Sequence, residues 1–237
     1  MKTLPKTQIL KVSFSTSPES EILEYIDDCL HKTSPKVVIV TPNPELVVMA
    51  TEDRAYRNVL NSAQISLPDG IGIVKAAQLL GIEIDHRITG VDFMKKLCRL
   101  VSKQAVNTGF FGAKPGVAEK TVECLRRENP ELSVTYVSHE WDEAKARKSN
   151  IDILFVALGS PKQEQWIYDN LDRLPVKVVM GVGGSFDMIA GTVMRAPGII
   201  QRFGLEWLWR LTIQPWRAKR QLRLIKFIWL VLKEKFS

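Results

Sequence analysis

The chain has 237 residues, of which 45% are hydrophobic and 25% charged, and its formal net charge is +7. That composition is globular and excludes a disordered chain, a collagen-like repeat and a disulfide scaffold. The charge is uneven: residues 195–237 carry +8 and the remainder −1, so a near-neutral body precedes a basic tail that also holds four of the six tryptophans. A basic balance points to an anionic partner without saying which.

Apolar β-type runs alternate with helical patterns along the body. Residues 9–14 read as a strand, and residues 18–31 as a helix opened by Ser17, with Ile22, Leu23, Ile26 and Leu30 on one face. Residues 36–40 read as a short strand, apolar throughout after Lys36, of the kind buried on both faces of a parallel sheet. A helix over 45–62, a strand over 64–67 and helices over 70–80 and 92–103 follow. Next come a strand over 105–111, a helix over 116–128 and strands over 132–137 and 151–158. A helix over 162–171 and a strand over 176–182 complete the body. This alternation, without hairpin signals of the Asn-Gly type, predicts an α/β, Rossmann-like fold with a largely parallel sheet and flanking helices. Residues 1–195 form the predicted catalytic body and residues 196–237 a helical appendage.

In such sheets ligands bind at the carboxyl ends of the strands. Thr41-Pro42-Asn43-Pro44-Glu45 follows one predicted strand, where Thr41 or Asn43 could face a cleft or simply cap a helix with proline at its first position. Pro68-Asp69-Gly70 follows another, and Asp69 reads either as a helix cap or as a general base at the mouth of the sheet. Three further strand-to-helix turns carry glycine: Gly112-Ala113-Lys114-Pro115-Gly116, Gly159-Ser160-Pro161-Lys162-Gln163-Glu164, and Gly181-Val182-Gly183-Gly184-Ser185-Phe186-Asp187. Glycine admits a ligand close to the backbone, and helix N-termini bind phosphate. Together these turns predict a nucleotide or diphosphate site. No Asp-x-Asp, His-Glu-x-x-His or Cys/His cluster is present. A departing diphosphate is therefore expected to be stabilised by Arg, Lys and helix termini, with no metal or cofactor. Cys29, Cys98 and Cys124 lie far apart and read as thiols of a reducing compartment, and His31, His86 and His139 have no ligand spacing.

The N-terminal stretch lacks the apolar segment of a signal peptide, and the longest late apolar run, residues 227–232, is too short to span a bilayer. The tail reads as two helices, over 196–213 and from Trp216 onward. In the second, Leu222, Ile225, Trp229, Leu232 and Phe236 make one apolar stripe, while Arg217, Arg220, Arg223 and Lys226 repeat on another face. A basic amphipathic helix with tryptophan predicts docking on an anionic membrane surface. The stripe is too wide for a helix that tracks nucleic-acid phosphates, so no nucleic-acid partner is expected.

These segments, with Arg87-Ile88-Thr89-Gly90-x-Asp92, Phe111-Gly112-Ala113, Arg195-Ala196-Pro197 and Gly204-Leu205-Glu206-Trp207 through Pro215-Trp216-Arg217, resemble the bacterial WecG/TagA/CpsF glycosyltransferases of glycosyltransferase family 26 over roughly residues 36–220. The resemblance implies an inverting, metal-independent transferase. It would move N-acetylmannosamine or a related hexose from UDP-sugar to a sugar on undecaprenyl diphosphate, in cell-surface polysaccharide or teichoic acid synthesis. Such an enzyme would sit in the bacterial cytoplasm, peripheral on the inner face of the plasma membrane. Position by position, Asp69 matches the general base, Thr41 and Asn43 the sugar-pocket turn, Arg87 a basic residue near substrate, and Gln163 an active-site amide. Gly112, Gly159, Pro161, Gly183, Gly184 and Asp187 match positions expected to contact UDP-sugar. Arg210, Arg217 and Arg220 match arginines that close over the active site and bind the acceptor diphosphate, where they could also stabilise the charge on departing UDP. The stretch between Val137 and Ile151 is shorter than the family pattern, which bears on one edge of the nucleotide pocket and on any homo-oligomer contact. The alternative function is a non-catalytic nucleotide-sugar-binding module docked on the membrane.

Overall fold

A computed structural model describes residues 4–32, 35–84, 86–214 and 218–236, with the backbone alone at residues 202 and 218–221. Its centre is a six-stranded, wholly parallel sheet in the order β4-β3-β8-β7-β5-β6. These strands are β3 (Val37–Val40), β4 (Ile65–Ser66), β5 (Thr108–Gly112), β6 (Val134–Ser138), β7 (Ile153–Ala157) and β8 (Val178–Gly181). Every residue of β3, β7 and β8 is buried, as continuous apolar runs require when helices cover both faces.

Successive side chains of a strand point to opposite faces, so the core divides in two. Ile39, Val37, Phe155 and Met180 face one cluster, with α1 (Glu19–His31), α5 (Gly90–Val101) and α6 (Val117–Glu128). Val38, Val40, Val156 and Val179 face the other, with α2 (Pro44–Glu52), α3 (Arg54–Ser62), α4 (Ile71–Leu80) and α8 (Lys162–Asn170). The predicted Rossmann-like architecture is therefore the observed one.

Three local expectations need correction. The strand predicted over 9–14 is an antiparallel hairpin of β1 (Lys6–Ile9) and β2 (Val12–Ser15), turned by Leu10 and Lys11 at φ 51° and 65°. Two-residue hairpins favour positive φ at both central positions, normally with Asn or Gly. Here the turn residues give no such signal, and burial of Leu10 holds the bend. The helix over 45–62 breaks at Asp53, whose carboxylate accepts the N–H groups of Ala55 and Tyr56 and starts α3 afresh. Ser17 does not cap α1: Pro18 occupies the cap position, and the buried Ser17 hydroxyl has no hydrogen-bond partner among the described residues. The short stretch after β6 contains α7 (Glu143–Lys148), capped by Asp142. Trp141 just before it packs on Phe111, Tyr136 and Trp166 with ring centroids 5.1–5.4 Å apart, so this edge is anchored by an aromatic cluster.

The chain leaves β8 through α9 (Ser185–Ile189) and continues as α10 (Gly198–Arg202), α11 (Glu206–Ile213) and α12 (Ala218–Lys235). The helix predicted over 196–213 is thus interrupted, at Gly204 with φ 70°. A Cβ built on Gly204 would lie 2.7–2.9 Å from the Ile71 side chain, so the bend presses the tail directly onto α4. Gly204→Ala adds both that overlap and a disfavoured backbone angle. Its unfolding free energy, read from a denaturant melt, is expected to fall by about 2 kcal/mol.

Helix α12 packs on α2 and α4. Phe227 and Val231, 2% and 3% exposed, join the larger core, and Arg223 and Lys226 form ion pairs with Glu45 and Glu52 at 2.9 and 2.6 Å. Two bases of the repeating basic face therefore pin the helix to the body rather than facing an external anion. The stripe of Leu222, Ile225, Trp229, Leu232 and Phe236 faces outward, with Ile225 67% and Trp229 57% exposed.

Candidate functional site

A cavity of about 700 Å³ opens where the carboxyl ends of β4, β3, β8 and β7 meet. Thr41 and Asn43 enter it from β3, Asp69 from β4, Gly159, Ser160 and Gln163 from β7, and Gly183 and Gly184 from β8. Arg87 and Arg210 join them, so nine of the predicted residues, scattered over 170 positions, converge with Ser160 on one concavity.

Backbone bonds fix the floor. The Asp69 N–H donates to the Pro42 carbonyl at 3.2 Å and the Ile88 N–H to the Pro68 carbonyl at 3.1 Å, which sets the Asp69 turn between the β3 turn and the Arg87 segment. Asn43 caps α2, its Oδ1 accepting from the Leu46 N–H at 3.1 Å, with Pro44 at the first helical position. It therefore has a structural role as well as a place on the wall. Asp69 is not a cap: Gly70 occupies that position on α4 and no side chain bonds to the helix start. The Asp69 carboxyl is left to face the cavity.

That carboxyl is pushed up to about 6. Burial is the main cause and the negative charge of Glu206 adds to it, while Arg210, Arg87 and the Gly90 N–H act in the opposite direction. Asp69 is half-buried and lines the cavity.

Gln163 is buried and fully engaged. Its Oε1 accepts from the Gly183 N–H at 2.8 Å, and its Nε2 donates to Ser160 Oγ at 3.2 Å and Glu164 Oε1 at 2.7 Å. The amide therefore ties the β7 turn to the β8 turn and shapes the glycine loop. Glu164 anchors it from beneath, where burial raises its carboxyl and Ser160, Gln163 and Tyr56 all donate to it.

Some predicted residues lie elsewhere. Gly112, Pro161 and Asp187 do not line this cavity. Gly112 is glycine for packing: at φ 99°, a Cβ there would sit 2.9 Å from the Ala157 backbone of the neighbouring strand. Pro161 belongs to a separate shallow depression with Met49, Tyr56 and Trp166. The Asp187 carboxylate accepts from the Thr192 hydroxyl at 3.1 Å. Arg217 and the Arg220 side chain lie outside the described residues.

Other contributors escaped sequence reasoning. Glu206 on α11 lines the cavity one turn before Arg210. Arg195 makes a two-pronged pair with Asp92 at 2.6 and 2.7 Å, with its Nε 3.8 Å from Glu206. Asp92 in turn accepts from Thr89, whose side chain caps α5. Asp92 and Arg195 both fall within recognisable motifs, but 103 positions separate them and no local pattern pairs them. Lys75 on α4 also lines the wall. Among the described residues, no group of three or more His, Cys, Asp or Glu side chains is placed to hold a metal ion. Nor is any helix among them long and apolar enough to cross a membrane.

A sequence model described as "Glycosyl transferase WecG/TagA/CpsF family" matches residues 7–237. An N-acetylglucosaminyldiphosphoundecaprenol N-acetyl-beta-D-mannosaminyltransferase of Bacillus subtilis (strain 168) is 36% identical, over 96% of this chain and 91% of that protein. Proteins of the same description from Bacillus spizizenii and Staphylococcus aureus (strain MRSA252) are 34% and 32% identical, each over at least 97% of this chain and 93% of their own length.

Proposed function

The chain belongs to the WecG/TagA/CpsF glycosyltransferase family, and from that premise we propose that it transfers N-acetylmannosamine or a related hexose from UDP-sugar to a sugar carried on undecaprenyl diphosphate, with inversion and without a metal. The observation that carries this reading is the placement of Asp69. It is a carboxylate raised toward neutrality, on the wall of a cavity large enough for a sugar and its phosphates, with Arg87 and Arg210 on the same wall.

The steps follow from those positions. Asp69 takes the proton from the acceptor hydroxyl as that oxygen attacks the anomeric carbon of the donor. The bond from that carbon to the UDP oxygen breaks on the opposite face, and UDP departs with the electron pair. Arg210, joined in this reading by Arg217 and Arg220, offers forked donors to the diphosphate oxygens as charge builds there. Gly159, Gly183 and Gly184 bring the backbone close to the donor, and Gln163 holds that loop in shape. Relatives named for a diphosphoundecaprenol acceptor make a lipid-linked substrate the natural one. The exposed stripe of α12, together with Ile199 of α10 and Phe203 just after it, supplies an apolar surface with which to meet the bilayer that carries it.

The pH profile tests the base. Asp69 must be ionised to accept a proton, so kcat/KM for UDP release is expected to rise with pH through about 6 and to level off above it. Glu206→Gln removes a negative neighbour and is expected to move that acid limb to lower pH. An unmoved limb would separate Glu206 from the base.

A further inference from the structure

The cavity wall changes character from floor to rim. Thr41, Asn43 and Asp69 stand at the strand ends, whereas Leu79, Trp207, Ile228 and Leu232 line the same cavity from three helices while being 39–52% exposed. Apart from the Trp207 indole N–H, these side chains are hydrocarbon. Lys75 lies between the two regions: it follows Ile71 and Gly72 on the cavity-lining side of α4 and precedes Leu79 by four residues, one helical turn on the same face.

Helices α4 and α12 are held together beside this rim. Phe227 and Val231 are buried at their contact, and the Arg223–Glu45 and Lys226–Glu52 pairs secure α12 from its other flank. The outer apolar residues of the seam, Leu79, Ile228 and Leu232, are not consumed by that packing. They leave an apolar rim on the cavity, and Leu232 belongs both to that rim and to the stripe of α12.

We propose that the seam between α4 and α12 is a binding subsite for the first isoprene units of a polyprenyl diphosphate, with Lys75 at its inner end engaging the diphosphate. Along α4 the wall passes from Asp69 before the helix to Lys75 and then to Leu79, the order of sugar, diphosphate and hydrocarbon in such a molecule. A bilayer phospholipid would meet the outward stripe alone and has no reason to place its head group inside the cavity. The inference rests on the lipid-linked acceptor proposed above and adds where its chain lies. The enzyme then grips the start of the carrier itself instead of relying on the membrane to hold it.

Binding of farnesyl diphosphate to the full chain, followed by tryptophan fluorescence without vesicles and below micelle-forming concentrations, tests this directly. Farnesyl diphosphate is expected to bind at least ~10-fold more tightly than inorganic diphosphate, as burial of a few methylene groups would give. Ile228→Asn or Leu79→Asn is expected to reduce that advantage below about two-fold, whereas Lys75→Gln weakens both ligands. Equal affinities in the wild type, an advantage that survives both apolar substitutions, or equal competition by a lysophospholipid of similar chain length would overturn the subsite. The measurement needs no turnover. Tight farnesyl diphosphate binding with no sugar transfer would therefore leave the subsite standing and remove the transferase reading instead.

Discussion

Asp69→Asn is expected to slow UDP release by ~10²–10⁴-fold, the usual range for loss of a positioned general base, and yet to melt at a higher temperature than the wild type. Both effects come from the same burial. The folded-state pKa lies near 6, above the ordinary carboxylate value of 3.8. A raised pKa means that the folded protein holds this proton more tightly than the unfolded chain does. The associated stability is complete below pH 3.8 and is lost as pH rises through about 6. At neutral pH the ionised carboxylate therefore costs stability, and asparagine removes that cost while keeping an oxygen for the Gly90 N–H. Water in the cavity screens part of the charge, so the gain is about 1–2 kcal/mol, or roughly 2–6 °C in Tm. Thermal melts and steady-state kinetics on one preparation check both halves. Near-wild-type turnover would remove Asp69 as the base, and an unchanged Tm would contradict its buried, ionised state.

Ending the chain after Gln214 removes α12 and is expected to lower transfer by more than ~100-fold while abolishing binding to anionic vesicles. It also takes Phe227 and Val231 out of the larger core, so stability falls by about 3–5 kcal/mol. The helix thus joins two functions, a buried side that completes the cavity and an exposed side for the bilayer. A double change on the exposed side, Ile225→Ser with Trp229→Ser, separates them. Vesicle binding is expected to drop by ~10-fold or more with Tm within about 2 °C of wild type, because both side chains are more than half exposed. Vesicle binding that persists in both variants would contradict the docking role of α12.

The tail shows how far a sequence pattern can be followed. The periodicity of Leu222, Ile225, Trp229, Leu232 and Phe236 identifies an amphipathic helix, but a stripe by itself does not say whether it faces the core or the outside. The side that packs, Phe227 and Val231, lies off the stripe, and only the positions of α2 and α4 reveal this. The parallel sheet was legible because its central strands are buried on both faces and read as unbroken apolar runs. The β1–β2 hairpin was not, because Leu10 and Lys11 carry no turn chemistry. Of the site, Thr41, Asp69, Gly159, Gly183 and Gly184 were legible as strand-end residues. Gly112 was a strand-end glycine too, yet its lack of a side chain answers to the carbonyl of Ala157. Glu206 and Lys75 reach the cavity only through tertiary folding, which also joins Asp92 to Arg195 beside Glu206.

One measurement bears most directly on the proposed transfer: incubation of the full chain with UDP-N-acetylmannosamine and an N-acetylglucosaminyl-diphospho-lipid in the presence of EDTA, followed by analysis of both products. The expected result is release of one UDP for each disaccharide formed, with a β-linkage and a rate that EDTA leaves unchanged. Binding of UDP with no disaccharide from any UDP-N-acetylhexosamine would contradict the proposal and leave a nucleotide-sugar-binding module in its place.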